Sequence, residues 1–140
     1  MKSMTMQEVW MKVRVRVVAE LRPTEDPEKL TRALTKLFPT VRFELRSVGQ
    51  RQVIEGESEE LGSLSYLKEN LRRRKVRAAA ERIMRSFSGE KMVHFMLSKQ
   101  AAYVGTASLL ELDELPEIGW IDVFVETEEP EEVIRWLTER

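Results

Sequence analysis

Hydrophobic and charged residues alternate along the chain over residues 9–20. Because successive side chains of a β-strand point to opposite faces, a period of two predicts a strand that buries one face. The apolar positions hold valine, methionine and alanine. The opposite face would present a row made of Trp10, Lys12, Arg14 and Arg16.

An amphipathic helix is predicted next, where Asp26 stands directly before Pro27. Aspartate is a good acceptor for the free N–H groups of a first helical turn, and the fixed φ of proline suits the first helical position. Apolar residues then recur at helical spacing, at Leu30, Ala33, Leu34 and Leu37. Pro39 cannot continue a helix, so the helix should end at about Phe38.

A β-hairpin is predicted after this helix. Val41, Phe43 and Leu45 alternate with charged residues, which indicates a second strand. Gly49 marks a turn, after which residues 52–57 would return as the hairpin partner. The polar residues 56–63 form the longest expected loop.

Strong helix formers without glycine or proline fill residues 67–85, which predicts one continuous rigid helix. We call these residues the basic segment, because they hold eight positive side chains against two acids. The positive side chains belong to Lys68, Arg72, Arg73, Arg74, Lys75, Arg77, Arg82 and Arg85. Gly89 should end the helix.

The rest of the chain predicts a buried strand over 92–97, a short helical or looped element over 98–104 closed by Gly105, and strands over 107–112 and 120–126. A last helix should begin near Pro130, where glutamates would meet the positive end of its dipole. Short links between consecutive strands favour antiparallel pairing. The predicted fold class is α+β, with a mostly antiparallel sheet and helices packed on one face, in a single domain over residues 1–140.

Composition excludes several functional classes. The chain has no cysteine, which removes thiolate nucleophiles and thiolate metal sites and suits the cytoplasm, where we expect the protein. No stretch is apolar enough for a signal peptide or a membrane span. His94 is the only histidine, and we expect it to be packed or partly buried. We therefore predict no enzymatic activity, no cofactor and no bound metal.

The bias towards charged residues, at 34%, and the single asparagine resemble proteins from hot environments. Charge is also segregated, because residues 111–140 hold eleven acids and two bases although the net charge is only -1. Cations on one helix can meet the phosphates of a nucleic acid together and release counterions. The sequence therefore predicts RNA as the partner, contacted by Arg72, Arg73, Arg74, Lys75 and Arg77.

Two alternatives stay open for the basic segment. It could be an ordinary solvated helix face, or it could pair with the acidic C-terminal region of another protein or of a second copy in a homodimer. Auxiliary RNA contacts are predicted at Lys12, Arg14 and Arg16, beside Trp10, because sheet-based RNA binders use such flat basic surfaces. Lys99 and Gln100 directly follow a predicted strand. At this position the sequence supports a ligand contact and a structural role equally.

Three blocks of the sequence resemble the signature blocks of a small archaeal family of uncharacterised proteins that is described as RNA-binding. They are LRRRKVRAAAERIM, HFMLSKQAAYVGTASL and PEIGWIDV, and the similarity extends over residues 13–125. Its most specific part is Lys-Gln-Ala-Ala at residues 99–102, followed by Gly105. Ser98, Thr106 and Trp120 stand where the family usually has asparagine, a basic residue and proline. The resemblance implies a fold similar to that of the ribosomal protein that binds 5S rRNA, structured or ribosomal RNA as partner, and no enzymatic activity.

Overall fold

The computed structural model describes residues 12–139. Its strands are β1 (Val13–Leu21), β2 (Glu44–Val48), β3 (Arg51–Ser58), β4 (Met92–Leu97) and β5 (Ile121–Thr127). Its α-helices are α1 (Pro27–Leu37), α2 (Ser65–Arg73), α3 (Arg77–Phe87), α4 (Lys99–Tyr103) and α5 (Pro130–Thr138). Short 3-10 helices lie at Leu61–Leu64 and Leu112–Glu114.

The five strands form one sheet in the order β2-β3-β1-β5-β4, and every neighbouring pair is antiparallel. Burial alternates along β1 and β5, because the apolar side chains of both strands face the helices and the polar ones face away from them. The predicted α+β class, with an antiparallel sheet and helices on one face, is confirmed. The first residues of the predicted strand, 9–11, lie outside the described residues.

Helix α1 begins and ends as the sequence predicts. The side chain of Asp26 accepts a hydrogen bond from the backbone N–H of Glu28 at 2.9 Å, and Pro27 occupies the first helical position. The four predicted apolar residues are buried, and Phe38 forms the C-cap. The terminal helix α5 also starts at its predicted proline, Pro130.

Strand β2 is shorter than predicted, because residues 41–43 are not part of it. A residue with a side chain would not fit at Gly56 of β3, where an added Cβ would lie 2.6 Å from Val41 Cγ1 and 2.7 Å from the carbonyl oxygen of Arg42. Residues 41–43 therefore pass close over β3 instead of pairing beside it. Pairing begins at Glu44, and Leu45, predicted to alternate with polar neighbours, is 49% exposed.

The prediction of one continuous basic helix is wrong. Helix α2 ends after Arg73, and α3 begins at Arg77. At the break, the N–H of Lys75 bonds to the carbonyl of Arg72 at 3.2 Å, and the N–H of Val76 bonds to the carbonyl of Leu71 at 3.3 Å. This pair of bonds is the Schellman arrangement that closes helices, with Lys75 in the left-handed conformation at φ 58°.

Two further predictions need correction. The stretch 56–63 is not a long loop, because β3 runs to Ser58 and a 3-10 helix starts at Leu61. Residues 107–112 do not form a strand, and they pair with β4 only through the bridge between Leu97 and Leu109. The N–H of Ala107 donates instead to a side chain of α2.

Candidate nucleic-acid interface

Four cations lie at the break between α2 and α3, and we call them the basic corner: Arg73, Arg74, Lys75 and Arg77. Arg74 donates a hydrogen bond to the carbonyl oxygen of Ala107, and Arg77 donates one to the carbonyl oxygen of Glu139 at 3.2 Å. Within residues 12–139, none of the four side chains forms an ion pair with a carboxylate. Carbonyl acceptors leave the guanidinium charge uncompensated, so this corner keeps its positive charge.

The other cations of the basic segment have carboxylate partners. Arg72 pairs with Glu69 at 3.0 Å, and Arg82 pairs with Glu111 at 2.8 Å. Hydrogen bonding by Arg72 holds the pKa of Glu69 below its ordinary value, and Arg82 lowers the pKa of Glu111 in the same way. Both carboxylates are therefore ionised at neutral pH and neutralise their arginines.

The acidic C-terminal region supplies several of these partners from the same molecule. Arg85 pairs with Glu131 and, at 3.2 Å, with Glu81 of its own helix. Lys68 pairs with Glu139 at 2.9 Å, and its ammonium group lies 5.2 Å from the centre of the Trp136 ring. Glutamates of residues 111–139 thus match cations on both sides of the basic corner while leaving the corner itself unmatched.

The loop after α4 supports the basic corner through Asn70 and Tyr66. Asn70 is buried, accepts a hydrogen bond from the N–H of Ala107 at 3.0 Å and donates one to the carbonyl oxygen of Gly105 at 3.3 Å. The hydroxyl of Tyr66 donates to the same carbonyl at 2.8 Å. Neither residue was predicted from the sequence, although Asn70, the only asparagine of the chain and one that lies among cations, was an available signal.

Acids of β3 match the two arginines of the predicted basic row. Arg16 pairs with Glu55 at 3.1 Å and lies 6.0 Å from the centre of the Phe124 ring. Arg14 approaches Glu57 at 4.0 Å, and Lys12 is exposed. Trp10 lies outside the described residues. This row is therefore a surface of mixed charge, and its prediction as an auxiliary RNA contact stays a prediction.

The prediction of Lys99 as an auxiliary RNA contact is not compatible with its position. Its side chain is 1% exposed, and its ammonium group donates to the carbonyl oxygens of Glu20 at 2.7 Å and Ile118 at 2.8 Å and to the carboxylate of Glu25 at 2.9 Å. All three donors of the ammonium are used, so Lys99 holds three chain segments together. The neighbouring Gln100 is exposed on α4 and stays a candidate contact.

His94 is half-buried, as expected, on the sheet face away from the helices. Its ring stacks on Phe124, with ring centres 4.5 Å apart, and its Nε2 lies 3.0 Å from a carboxylate oxygen of Asp122. The same carboxylate oxygen accepts a hydrogen bond from the indole N–H of Trp120 at 3.2 Å. These contacts account for His94 as a packed side chain.

The described part of the chain contains no group of three or more His, Asp or Glu side chains arranged to hold a metal ion. Among the helices within residues 12–139, none has the length and apolar character needed to cross a membrane.

Comparison with known proteins places this fold and sequence in a family. A family model described as RNA binding matches residues 14–127. The chain belongs to this RNA-binding family. It is 38% identical to a UPF0201 protein of Aeropyrum pernix, over 90% of this chain and 85% of that protein. It is 32% identical to a UPF0201 protein of Saccharolobus solfataricus, over 89% of this chain and 86% of that protein.

A solved structure of the family has the same architecture. The crystal structure of a UPF0201 protein from Methanococcus jannaschii superposes with a TM-score of 0.77 and 27% identity, covering 91% of this chain and 93% of that one. The resemblance to an archaeal family of uncharacterised proteins is therefore confirmed. The further similarity to the ribosomal protein that binds 5S rRNA stays a prediction.

Proposed function

We propose that the chain is a non-enzymatic RNA-binding protein that contacts the RNA backbone through the basic corner. The observation that carries this proposal is the absence, within residues 12–139, of any carboxylate paired with Arg73, Arg74, Lys75 or Arg77, although neighbouring cations are neutralised. A cluster of cations without carboxylate partners attracts a polyanion strongly. Each phosphate that the cluster neutralises releases counterions, which favours binding. Membership of the RNA-binding family supports the same partner.

The backbone at the basic corner favours anions as well. Helix α3 starts directly after Val76 without a side-chain cap and without an acid in its first turn. Its first N–H groups carry the positive end of the helix dipole, whereas two carbonyls at the negative end of α2, those of Leu71 and Arg72, are already occupied by the bonds that close that helix. Such a corner suits phosphates presented by a bent or looped RNA, so we infer recognition by shape and by single-stranded loops.

The competing interaction module is less well supported. It needs the carboxylates of the acidic C-terminal region to pair with the basic segment of another molecule. Three of these carboxylates, on Glu111, Glu131 and Glu139, already pair with cations of their own chain. An intermolecular exchange would replace the existing ion pairs with equivalent ones, so it would add little binding free energy.

The test compares two double variants of equal charge. Arg73→Gln with Lys75→Gln removes two unmatched cations, whereas Arg82→Gln with Arg85→Gln removes two matched ones. Binding of a fluorescently labelled RNA stem-loop is measured by anisotropy over a series of KCl concentrations. We expect the first variant to bind more weakly and to lose about 0.7–0.9 of the logarithmic salt slope for each cation that contacts a phosphate.

The matched variant should retain affinity and slope much closer to those of the unmodified chain. Equal losses in both variants would mean that only net charge matters, and the proposed site would be rejected. Thermal unfolding of each variant serves as the folding control. We chose Lys75 in place of Arg74 because the Arg74 side chain also holds the carbonyl of Ala107.

A further inference from the structure

Strand β2 forms an open edge of the sheet. It is the first strand in the sheet order, and all five of its residues are exposed. Within the described residues, no backbone hydrogen bond from another segment reaches its free side. An edge with unpaired N–H and C=O groups is a template for pairing with another strand, unless proline, a bulge or a covering segment blocks it.

The opposite edge of the sheet is covered. Along β4, the N–H of Leu110 donates to the carbonyl of Met96 at 2.8 Å, and the N–H of Ser98 donates to the carbonyl of Ser108 at 2.9 Å. The stretch after α4 therefore shields β4 from further pairing. Strand β2 has no such cover and contains no proline.

The charges of β2 are unbalanced within one molecule. Glu44 stands directly opposite Glu55 of β3, a like-charge pair that is unfavourable across two strands. Arg46 and Arg16 both pair with Glu55, and among residues 12–139 no cation forms an ion pair with Glu44. Leu45, between Glu44 and Arg46, lies on the helix-side face with Ile54 but is 49% exposed. An unmatched carboxylate and an exposed leucine thus sit side by side on the free edge.

We propose that two copies of this chain pair through antiparallel β2 edges, about a twofold axis at Leu45. In that register Glu44 of each copy faces Arg46 of the other, and the two exposed Leu45 side chains meet. In a continuous sheet, two residues that stand opposite each other have their side chains on the same face. Alternative registers of the two β2 strands are therefore shifted by two residues relative to each other. The neighbouring registers oppose Glu44 with Glu44 or Arg46 with Arg46, and like charges select against both.

Such an interface is small. It consists mainly of backbone hydrogen bonds from a five-residue strand, two ion pairs and one leucine pair. Interfaces of low buried area are weak and transient, so the dimer should depend on protein concentration. This pairing is independent of the basic corner, which lies on α2 and α3, and it differs from a dimer held by the acidic C-terminal region.

Charge reversal tests the register directly. We expect Glu44→Arg and Arg46→Glu, each alone, to raise the dimer dissociation constant about 100-fold, because each places two like-charge pairs across the axis. The experiment is sedimentation equilibrium of protein freed of nucleic acid, over a range of concentrations at low salt. Combining both substitutions in one chain should restore the dimer.

Mixing the two single variants is the most specific measurement. Both arginines of one copy then face both glutamates of the other, so a heterodimer should form where neither variant associates alone. Native mass spectrometry with one tagged variant detects it. Glu117→Arg and Arg32→Glu, at exposed residues outside the sheet, serve as matched controls and should leave association unchanged. A chain that stays monomeric at its highest soluble concentration, or a mixture without heterodimers, would overturn the proposal.

Discussion

Lys75 combines an unfavourable backbone conformation with a free positive charge. Its φ of 58° places a side-chain-bearing residue in the left-handed region, at the helix-closing position that glycine usually occupies. The left-handed conformation costs a residue other than glycine roughly 1–2 kcal/mol. A lysine at this position therefore lowers stability where it adds to the charge of the basic corner.

Substituting Lys75 with glycine should separate these two effects. We expect Lys75→Gly to raise the free energy of unfolding by about 1 kcal/mol, because the strain is relieved. The same variant should bind the RNA stem-loop more weakly, since one unmatched cation is lost. Urea denaturation and anisotropy measure the two quantities. Lys75→Val is the matched control, because it also removes the charge but should lower stability; a decrease of stability in both variants would contradict the explanation.

For single residues, the sequence predicted correctly those whose role depends on the local pattern. The cap of Asp26 and the apolar positions of α1 follow from spacing alone. Lys99 could not be assigned in this way, because its partners Glu20, Glu25 and Ile118 come from distant parts of the chain. An ammonium group can be buried only where acceptors bind its hydrogen atoms, and here those acceptors come from distant segments. The local sequence pattern therefore does not reveal the burial of Lys99.

Among the elements, the basic segment shows where local propensity failed. Its residues are strong helix formers, and the glycine that commonly marks a helix end is absent. The break appears because Asn70 and Tyr66 anchor α2 to the loop at Gly105, while α3 packs on β4 and α5. Tertiary contacts therefore override a continuous helix.

The crossing of residues 41–43 over β3 gives a prediction for this part of the sheet. We expect Gly56→Ala to lower the free energy of unfolding by about 2 kcal/mol, because the new Cβ would meet the backbone of Arg42 as well as Val41. Chemical denaturation measures the change. Gly89→Ala is the control, since a Cβ there would meet no atom within 4 Å, and its effect should stay within about 0.5 kcal/mol. Similar effects of the two substitutions would show that the crossing is not tightly packed.

For the whole molecule, the distribution of charge decides which cations stay unmatched and are therefore open to the proposed RNA partner. The C-terminal glutamates cover α3 and leave the basic corner open, an arrangement that depends on how the helices and the terminal region pack together. The segregation of charge and the fold class could be predicted, because both follow from composition and periodicity. The ion pairs between distant segments could not be read from the sequence, and therefore the smaller set of unmatched cations could not be predicted.

Removing the covering carboxylates should extend the basic surface. We expect Glu111→Gln with Glu131→Gln to raise the affinity for the RNA stem-loop and to steepen its salt dependence, because Arg82 loses its carboxylate partner and Arg85 keeps only Glu81. Anisotropy at several KCl concentrations measures both. Glu90→Gln with Glu117→Gln changes the net charge equally at exposed residues that have no ion pair within residues 12–139. Equal gains in both variants would exclude a specific competition between these glutamates and RNA.

The burial of Asn70 affects how long the protein resists chemical damage. Asparagine is a thermolabile residue, and this chain has one copy of it. Deamidation would replace the NH2 group that donates to the carbonyl of Gly105 with a carboxylate oxygen, so two acceptors would face each other. Chemical damage to a single side chain would thereby weaken the connection of α2 to its neighbouring loop, although the bond from Tyr66 to the same carbonyl remains, and shielding from solvent slows that damage.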